Sequence, residues 1–423
     1  MIADIRGHIP ETIVLLLFTA LFYIVSSFFV LANFNAFPGL EARRRPDATT
    51  LVLIAVCALG FRLTVWPLYP ALSDDVFRYR WEAQVQALGG NPYQVRPNDP
   101  AWNALRDRAF PLVVAKDFKA GYGPLTEMLE LATYRAVSRF TPDPFVQAFW
   151  FKLPAALCDV GIIGALLALL SAHRLPLELS LLYAWCPLPV VEFWATGHND
   201  ALAILLVLMA LVAAARGRWT WAFLSLTLGA AAKFWPLLLF PAFLLRARRM
   251  RPLFPALALA LALAAAYWSP ATENARFLSG FIGGWRNNDS LFGLLLWAAG
   301  GVESRAKLAA FACIGLSTAY AAFAVRGLER SAAVTILATL VFSSNSHPWY
   351  LTWLVPLLPF LPLPGLLLWT ALVPIAYHVL IDWITRGVWI HEGPLRYLIY
   401  VPVYGLLAAT PAVRILARRR ART

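Results

Sequence analysis

Long apolar runs, interrupted by short basic clusters, set the pattern of this chain. A membrane span needs about 20 predominantly apolar residues as a helix, and cytoplasmic loops gather Lys and Arg. Four clusters stand out: "EARRRP" at Glu41–Pro46, "RARRMR" at Arg246–Arg251, "RGLER" at Arg326–Arg330, and "ARRRAR" at the end. Weaker basic turns follow His173 and Arg216. Placing all six on the inner side sends a first span, roughly Glu11 to Asn33, inward and a second, roughly Thr49 to Tyr69, outward. The stretch that follows, "LYPALSDDVFRYRWEAQVQALGGNPY", then emerges on the outer face with two adjacent aspartates at its head.

Parity constrains the rest. With His173 inside, one crossing fits between Asp75 and His173, and the run from Phe145 to Leu170 takes it. Residues Gly123 to Phe140 carry Leu125, Met128, Leu129, Ala132 and Val137 at helical spacing, while Glu127 and Glu130 would be costly in hydrocarbon. An amphipathic helix lying on the outer surface satisfies both. The segment from Ala71 to Pro144 becomes the first large outer loop, and 271–303 a second one. "EFWATGHND" and "SSNSHPWYLTW" fall in outer turns, and "AAAKFWPLLLFP" at the tip of a helical hairpin whose ends are both cytoplasmic. The expected architecture is all-α: a polytopic membrane helix bundle, one integral-membrane domain over residues 1–423. It has about 13 transmembrane helices, with the N-terminus out and the C-terminus in.

Composition agrees. Of 423 residues, 60% are hydrophobic and 14% charged, and the mean hydropathy is +0.64. Soluble domains carry about 25% charged residues. Seventeen tryptophans suit aromatic belts at the two interfaces. The net charge of +13 resides in the short inner clusters, which points to topology and anionic-lipid contact and not to nucleic acid. The four cysteines form no C-x-x-C pair, so neither a disulfide framework nor a zinc site is expected. The first apolar run exceeds the core of about 7–15 residues of a signal peptide and is followed by no A-x-A site, so it reads as a span.

Reactive side chains collect on the outer side. Asp75 shares a helical face with Arg78 and Tyr79, three and four residues on. An interfacial carboxylate can take a proton from a substrate hydroxyl, and the arginine can grip a phosphate; an ordinary cap with a salt bridge is the plain alternative. "GHND" offers His198, Asn199 and Asp200 at the head of a span, where Asn199 or Asp200 also serves as a helix cap. Lys233, in an apolar hairpin before a Trp-Pro break, either snorkels to the interface or meets a lipid phosphate. His347 with Trp349 and Tyr350 can form a belt anchor or hold a sugar or phosphate, and "WRNNDS" supplies Arg286, Asn287, Asn288 and Asp289 on a loop. Lys152, Asp159, Glu192 and Asp382 are candidates for buried pairs. No Walker, G-x-G-x-x-G, H-E-x-x-H or G-x-S-x-G motif is present. An enzyme of the outer face would lack nucleotide sugars, so its donor must arrive activated in the membrane.

In order, the aspartate pair, "GGNPY", "YGPL", "GHNDAL", "KFWPLLLFP" and "HPWYLTWLVPLLP" resemble the GT-C superfamily of integral-membrane glycosyltransferases. The closest likeness is to bacterial enzymes that use polyprenyl-phosphate-mannose, and it runs from roughly Leu68 to Pro359. The resemblance implies an inverting transfer of a sugar, mannose first among candidates, from polyprenyl phosphate to a glycolipid or cell-envelope glycan. It also implies a site facing the periplasm or exterior of a bacterial inner membrane. The family's base lies three residues before an Arg or His and four before an aromatic, which selects Asp75, with Asp74 second. Arg78, Lys233, His347 and Tyr122 are then expected at the donor phosphate. Tyr79, His198, Asn199, Asp200, Arg286, Asn288, Trp349 and Tyr350 are expected around the sugar or acceptor. Related members often carry Glu after the catalytic Asp, or Lys-Pro-Pro-Leu where this chain has Tyr122-Gly123-Pro124-Leu125. No cofactor or metal ligand set is expected, a divalent metal being left open. The alternative is a transporter or flippase of lipid-linked sugars, though repeated halves are not seen. A prenyltransferase would need a second Asp-rich motif, which the chain lacks.

Overall fold

The computed structural model describes residues 5–33, 48–247, 249–267, 286–390 and 393–420. The expected basic cluster at Glu41–Pro46, residues 271–285 of the loop 271–303 and His391 lie outside them. Among the described residues there is helix and no strand, with one isolated bridge between Asn287 and Asn345. The chain opens with α1 (Ile9–Asn33) and α2 (Ala48–Val65), followed by α3 (Asp75–Ala87), α4 (Pro124–Val137), α5 (Pro144–Trp150) and α6 (Leu153–Ala172). Among the described residues, five stretches are long and apolar enough to cross a membrane: Arg6–Ala32, Ala48–Val65, Pro144–Ala172, Glu303–Phe323 and Pro364–Arg386. Five shorter apolar helices accompany them, Asp200–Ala215 and Trp219–Ala232 among them. The protein is an all-α membrane protein.

Proline explains why several apolar runs are segmented. It lacks an N–H and fixes φ, so it suits the first turn of a helix and interrupts one anywhere else. It starts α4, α5 and the helix Pro364–Leu372, and it splits 348–360 into two short 3₁₀ pieces, Pro348–Trp353 and Val355–Phe360.

The molecule is apolar outside and partly polar inside. Phe18, Phe22, Phe28 and Phe29 of α1 and Val52, Val56 and Leu59 of α2 are exposed, as lipid-facing side chains should be. Arg62 and Asp159, in contrast, are buried and paired at 2.5 Å. The Arg62 guanidinium also donates to the Ala58 and Ala184 carbonyls, while the Tyr183 hydroxyl and the Trp194 indole donate to Asp159 at 2.5 and 2.8 Å. This node ties α2 to α6 and to the segment 183–194. Lys152 is likewise buried and donates to the carbonyls of Trp66 and Leu68 at 2.6 and 2.7 Å, fixing the path from α2 toward Asp75. Asp382 differs: it pairs with Arg386 at the surface, so it is no buried partner.

The polar segment between α2 and α5 is a folded unit with its own apolar cluster. Val76, Phe77, Tyr79, Trp81 and Val85 of α3 pack with Ala109, Val113, Ala148 and Phe151. Its helix α4 does not turn its carboxylates to water. Glu127 and Glu130 are buried against α3, while Met128 is exposed, so the expected surface helix is inverted in its polar face. Burial is tolerable because Gln86 and Asn199 donate to these carboxylates.

Among the described residues, the basic turns at His173, Arg246 and Arg326–Arg330 meet at one end of the bundle. His173 meets Glu329 at 2.7 Å, and Arg246 donates to the Val325 carbonyl at 2.7 Å. Asp200 and Arg216 lie at opposite ends of one helix, separated by about 24 Å at 1.5 Å per residue. Replacing Asp159 by Ala should therefore destabilise the protein by about 3–5 kcal/mol, because it strands a buried guanidinium. A thermal melt of detergent-purified protein checks this.

Candidate active site

Five segments converge at the end away from the basic clusters. The first is the start of α3. Ser73 Oγ accepts the Asp75 backbone N–H at 3.2 Å, and Asp74 is the N-cap residue without a side-chain cap bond. Its carboxylate is taken by Arg6 across 68 residues of sequence. Asp75 has no such partner. Its side chain is 21% exposed, and its nearest cationic-type neighbour is His198, with Nε2 3.7 Å from Oδ2. Burial pushes the Asp75 carboxyl up to about 6 against the pull of Lys233, and the charges of Asp200 and Asp74 add to the rise.

The second segment is the turn before the Asp200–Ala215 helix. Gly197 sits at φ +83°, and a Cβ there would fall 2.9 Å from the Lys152 stem, so glycine is required for the turn that presents His198. His198 Nδ1 lies 2.7 Å from Glu192 Oε2, and Glu192 also accepts the Tyr377 hydroxyl. Its Nε2 carries no hydrogen bond. Burial lowers the His198 pKa well below its usual value, helped by Lys233 and His347, and keeps the ring neutral. Asp200 is the first residue of the helix and not its cap; it accepts Lys233 Nζ at 2.8 Å and the Trp353 indole at 2.7 Å.

The third and fourth segments meet at Lys233. The helix Trp219–Ala232 stops there, and its last carbonyl, that of Ala232, accepts both the Gly123 N–H and the Thr126 hydroxyl at 3.1 and 3.0 Å. Gly123 approaches so closely that a Cβ would lie 2.1 Å from the Ala231 oxygen. "YGPL" thus needs its glycine to bring Tyr122 under the Lys233 ammonium, 5.0 Å from the ring centroid. Tyr79 packs edge-on against Tyr122 at 5.2 Å.

The fifth is "NSHPWYLTW". Trp349 is sandwiched between His198 and His347, with centroids 4.1 and 4.2 Å away and ring planes 19° and 6° apart. Asn287 Nδ2 donates to His347 Nδ1 at 2.9 Å. Burial pushes the His347 pKa down to about 3, with Lys233 adding to the shift. Tyr350 lies 5.9 Å from the Lys233 ammonium.

The structure therefore brings together Asp75, Tyr79, Tyr122, His198, Asn199, Asp200, Lys233, His347, Trp349 and Tyr350. Three expected residues are otherwise engaged. Arg78 pairs with Glu82 at 2.6 Å and donates to the Ala115 and Phe118 carbonyls, so it braces the loop and is not free for phosphate. Asn288 is buried between the Ser346 carbonyl and the Tyr400 hydroxyl, and Arg286 pairs with Asp289, itself held by Arg396. Those contacts anchor the loop instead of lining the site. Glu192, expected in a buried pair, and Asn287, expected on a polar loop, orient the two histidines, a role that sequence alone did not give them. Glu192 stands six residues before His198 in a π-helical turn, and that spacing is the only local signal it offers.

Residues 2–249 match the family model described as alpha-(1->6)-mannopyranosyltransferase, N-terminal domain, of the MptA_B family. That is more than half of the chain, and the chain belongs to this family. It is a glycosyltransferase of the mannosyl type, with a sugar donor and an acceptor as partners. No curated protein and no solved structure matches it.

The two aspartates should separate in stability. At pH 8, Asp75→Asn removes a carboxylate whose folded-state pKa is raised and should stabilise the protein by up to about 3 kcal/mol. Asp74→Asn breaks the pair with Arg6 but also removes a carboxyl that burial raises, so the two effects oppose and the change should stay within about 1 kcal/mol. Paired thermal melts distinguish the two.

Proposed function

Because the chain is a member of the alpha-(1->6)-mannopyranosyltransferase family, we propose that it moves a mannosyl residue from polyprenyl phosphate to a 6-hydroxyl of a glycolipid or envelope glycan. The transfer inverts the anomeric centre and takes place on the face opposite the basic segments. One observation carries this reading: Asp75 is the carboxylate at this convergence that has no ion pair with a lysine or arginine among the described residues, while Asp74 and Asp200 are both paired.

In this mechanism the acceptor 6-hydroxyl attacks the anomeric carbon as the bond to the phosphate oxygen breaks. Asp75 takes the hydroxyl proton. Lys233 keeps donors beyond the one given to Asp200 and meets the charge growing on the departing phosphate, with Tyr122 beneath it. A neutral His198, held through Nδ1 by Glu192, places Nε2 3.7 Å from Asp75 and fixes the position of that carboxylate, while the exposed part of the Asp75 side chain lets its proton leave to solvent before the next turnover. Neutral His347, backed by the stacked Trp349 ring, borders the sugar. An inverting route to an α-linked product requires a β-linked donor.

The roughly 24 Å between Asp200 and the basic turn at Arg216 supports an extracytoplasmic site in a plasma membrane. Five long and five shorter apolar helices among the described residues are the candidates for the proposed crossings.

Purified protein given β-linked polyprenyl-phosphate-mannose and an acceptor glycan should release polyprenyl phosphate, and the α-anomer should give none. Asp75→Asn should lower kcat by about 10²–10⁴-fold with the fold intact, and His198→Gln by about 10-fold or more. Retained turnover in Asp75→Asn would remove the base from this assignment. Because the carboxylate form is the active one, kcat/KM should fall about tenfold per pH unit below about 6 and level off above it. In intact cells an impermeant maleimide should label Asn103→Cys at once and Arg216→Cys only after lysis; the reverse would place the site in the cytoplasm.

A further inference from the structure

Beside the proposed site, and independent of how Asp75 is read, lies a second polar cluster. Glu82 of α3 and Glu127 and Glu130 of α4 each offer one carboxylate oxygen, and these three atoms lie within 4.8 Å of one another. All three residues are buried. Each carboxylate has one oxygen in use: Glu82 Oε1 accepts Arg78, Glu127 Oε2 accepts Gln86, and Glu130 Oε1 accepts Asn199. The other oxygen of each, Glu82 Oε2, Glu127 Oε1 and Glu130 Oε2, is buried without a partner among the described residues.

Two further buried oxygens border Glu130. The Tyr79 hydroxyl, on a residue 2% exposed and one turn before Glu82 on α3, and Asn199 Oδ1 both lack a hydrogen-bond partner among the described residues. Tyr79, Asn199 and Glu130 line one cavity of about 20 Å³, room for a single water-sized occupant, whose remaining wall is mostly apolar and does not include Glu82 or Glu127. Buried polar groups in native proteins are nearly always satisfied, so five unpartnered oxygens from three segments ask for an occupant that accepts oxygen ligands.

Charge identifies it. Ionised, as a bound cation would hold them, the three carboxylates against one guanidinium, Arg78, leave two negative charges, since Lys233 is paired with Asp200. A divalent cation balances them. Two oxygens bound to one Ca²⁺ at about 2.3–2.6 Å each lie at most about twice that apart, which accommodates the observed spacing. We propose that Glu82, Glu127 and Glu130, with Tyr79 and Asn199 beside them, hold one hard divalent cation of the Ca²⁺, Mn²⁺ or Mg²⁺ class. The ion would lock α3 to α4 and to the turn that carries His198, holding the helix that begins at Asp75 against the rest of the bundle.

The test uses the full-length protein, stripped with EDTA and re-purified, with Mn²⁺ bound from MnCl₂ counted by electron paramagnetic resonance. The expected result is one Mn²⁺ per chain, displaced by excess CaCl₂, and a melting temperature several degrees higher in CaCl₂ than in EDTA. Glu127→Gln and Glu130→Gln should each weaken Mn²⁺ binding at least tenfold, while Asp75→Asn leaves the stoichiometry at one. Two outcomes overturn the proposal. One is a wild-type protein that binds no Mn²⁺ saturably and melts alike in EDTA and CaCl₂, the behaviour of carboxyls held as neutral acids. The other is Mn²⁺ binding that both glutamine variants retain. The wild-type measurements decide the matter even if a variant fails to fold.

Discussion

A bundle whose outer surface is hydrocarbon must settle its charges internally. Water is absent from the bilayer core, so every ionised or strongly polar group there needs a protein partner. Arg62 answers this with Asp159, Tyr183 and Trp194 gathered around one carboxylate, and Lys152 with two backbone carbonyls. Lys233 does so with Asp200, which Trp353 holds from the other side. Against that rule, an unpaired half-buried carboxylate such as Asp75 is expensive to keep. Its persistence makes physical sense only where a ligand or a proton transfer uses it.

The site is assembled by backbone as much as by side chains. Gly123 lets the segment before α4 lie on the end of the Trp219–Ala232 helix, which sets Tyr122 beneath Lys233. Gly197 turns the chain over the Lys152 stem, which aims His198 at Asp75. The region matched to the mannosyltransferase family supplies Asp75, Tyr122, Glu192, His198, Asp200 and Lys233. The later part of the chain supplies the aromatic floor of Trp349, Tyr350 and Trp353 and the Asn287–His347 pair. Neither part alone encloses the reacting groups.

Arginine and asparagine in the polar loops illustrate how residue type can mislead. Arg78, Arg286 and Asn288 have the chemistry to bind phosphate or sugar hydroxyls. Each is instead used to hold irregular backbone, through the Ala115 and Phe118 carbonyls, Asp289, or the Ser346 carbonyl. Loops buried against a membrane bundle expose many carbonyls that helices do not satisfy, and guanidinium and amide groups are the donors that meet them.

By itself the sequence determined the helical membrane class, the folded polar segment between α2 and α5, and the candidates Asp75, His198, Lys233 and His347. Those follow from local properties: apolar run length, helical spacing, and the cost of an ionisable group in an apolar stretch. The tertiary structure decided the partners. Asp74 is silenced by Arg6, 68 residues away, Glu127 and Glu130 turn inward to meet Glu82, and Glu192 takes hold of His198. Periodicity states which face of a helix is polar but not whether water or another polar face covers it. That choice depends on contacts between segments far apart in the chain, and only packing fixes them.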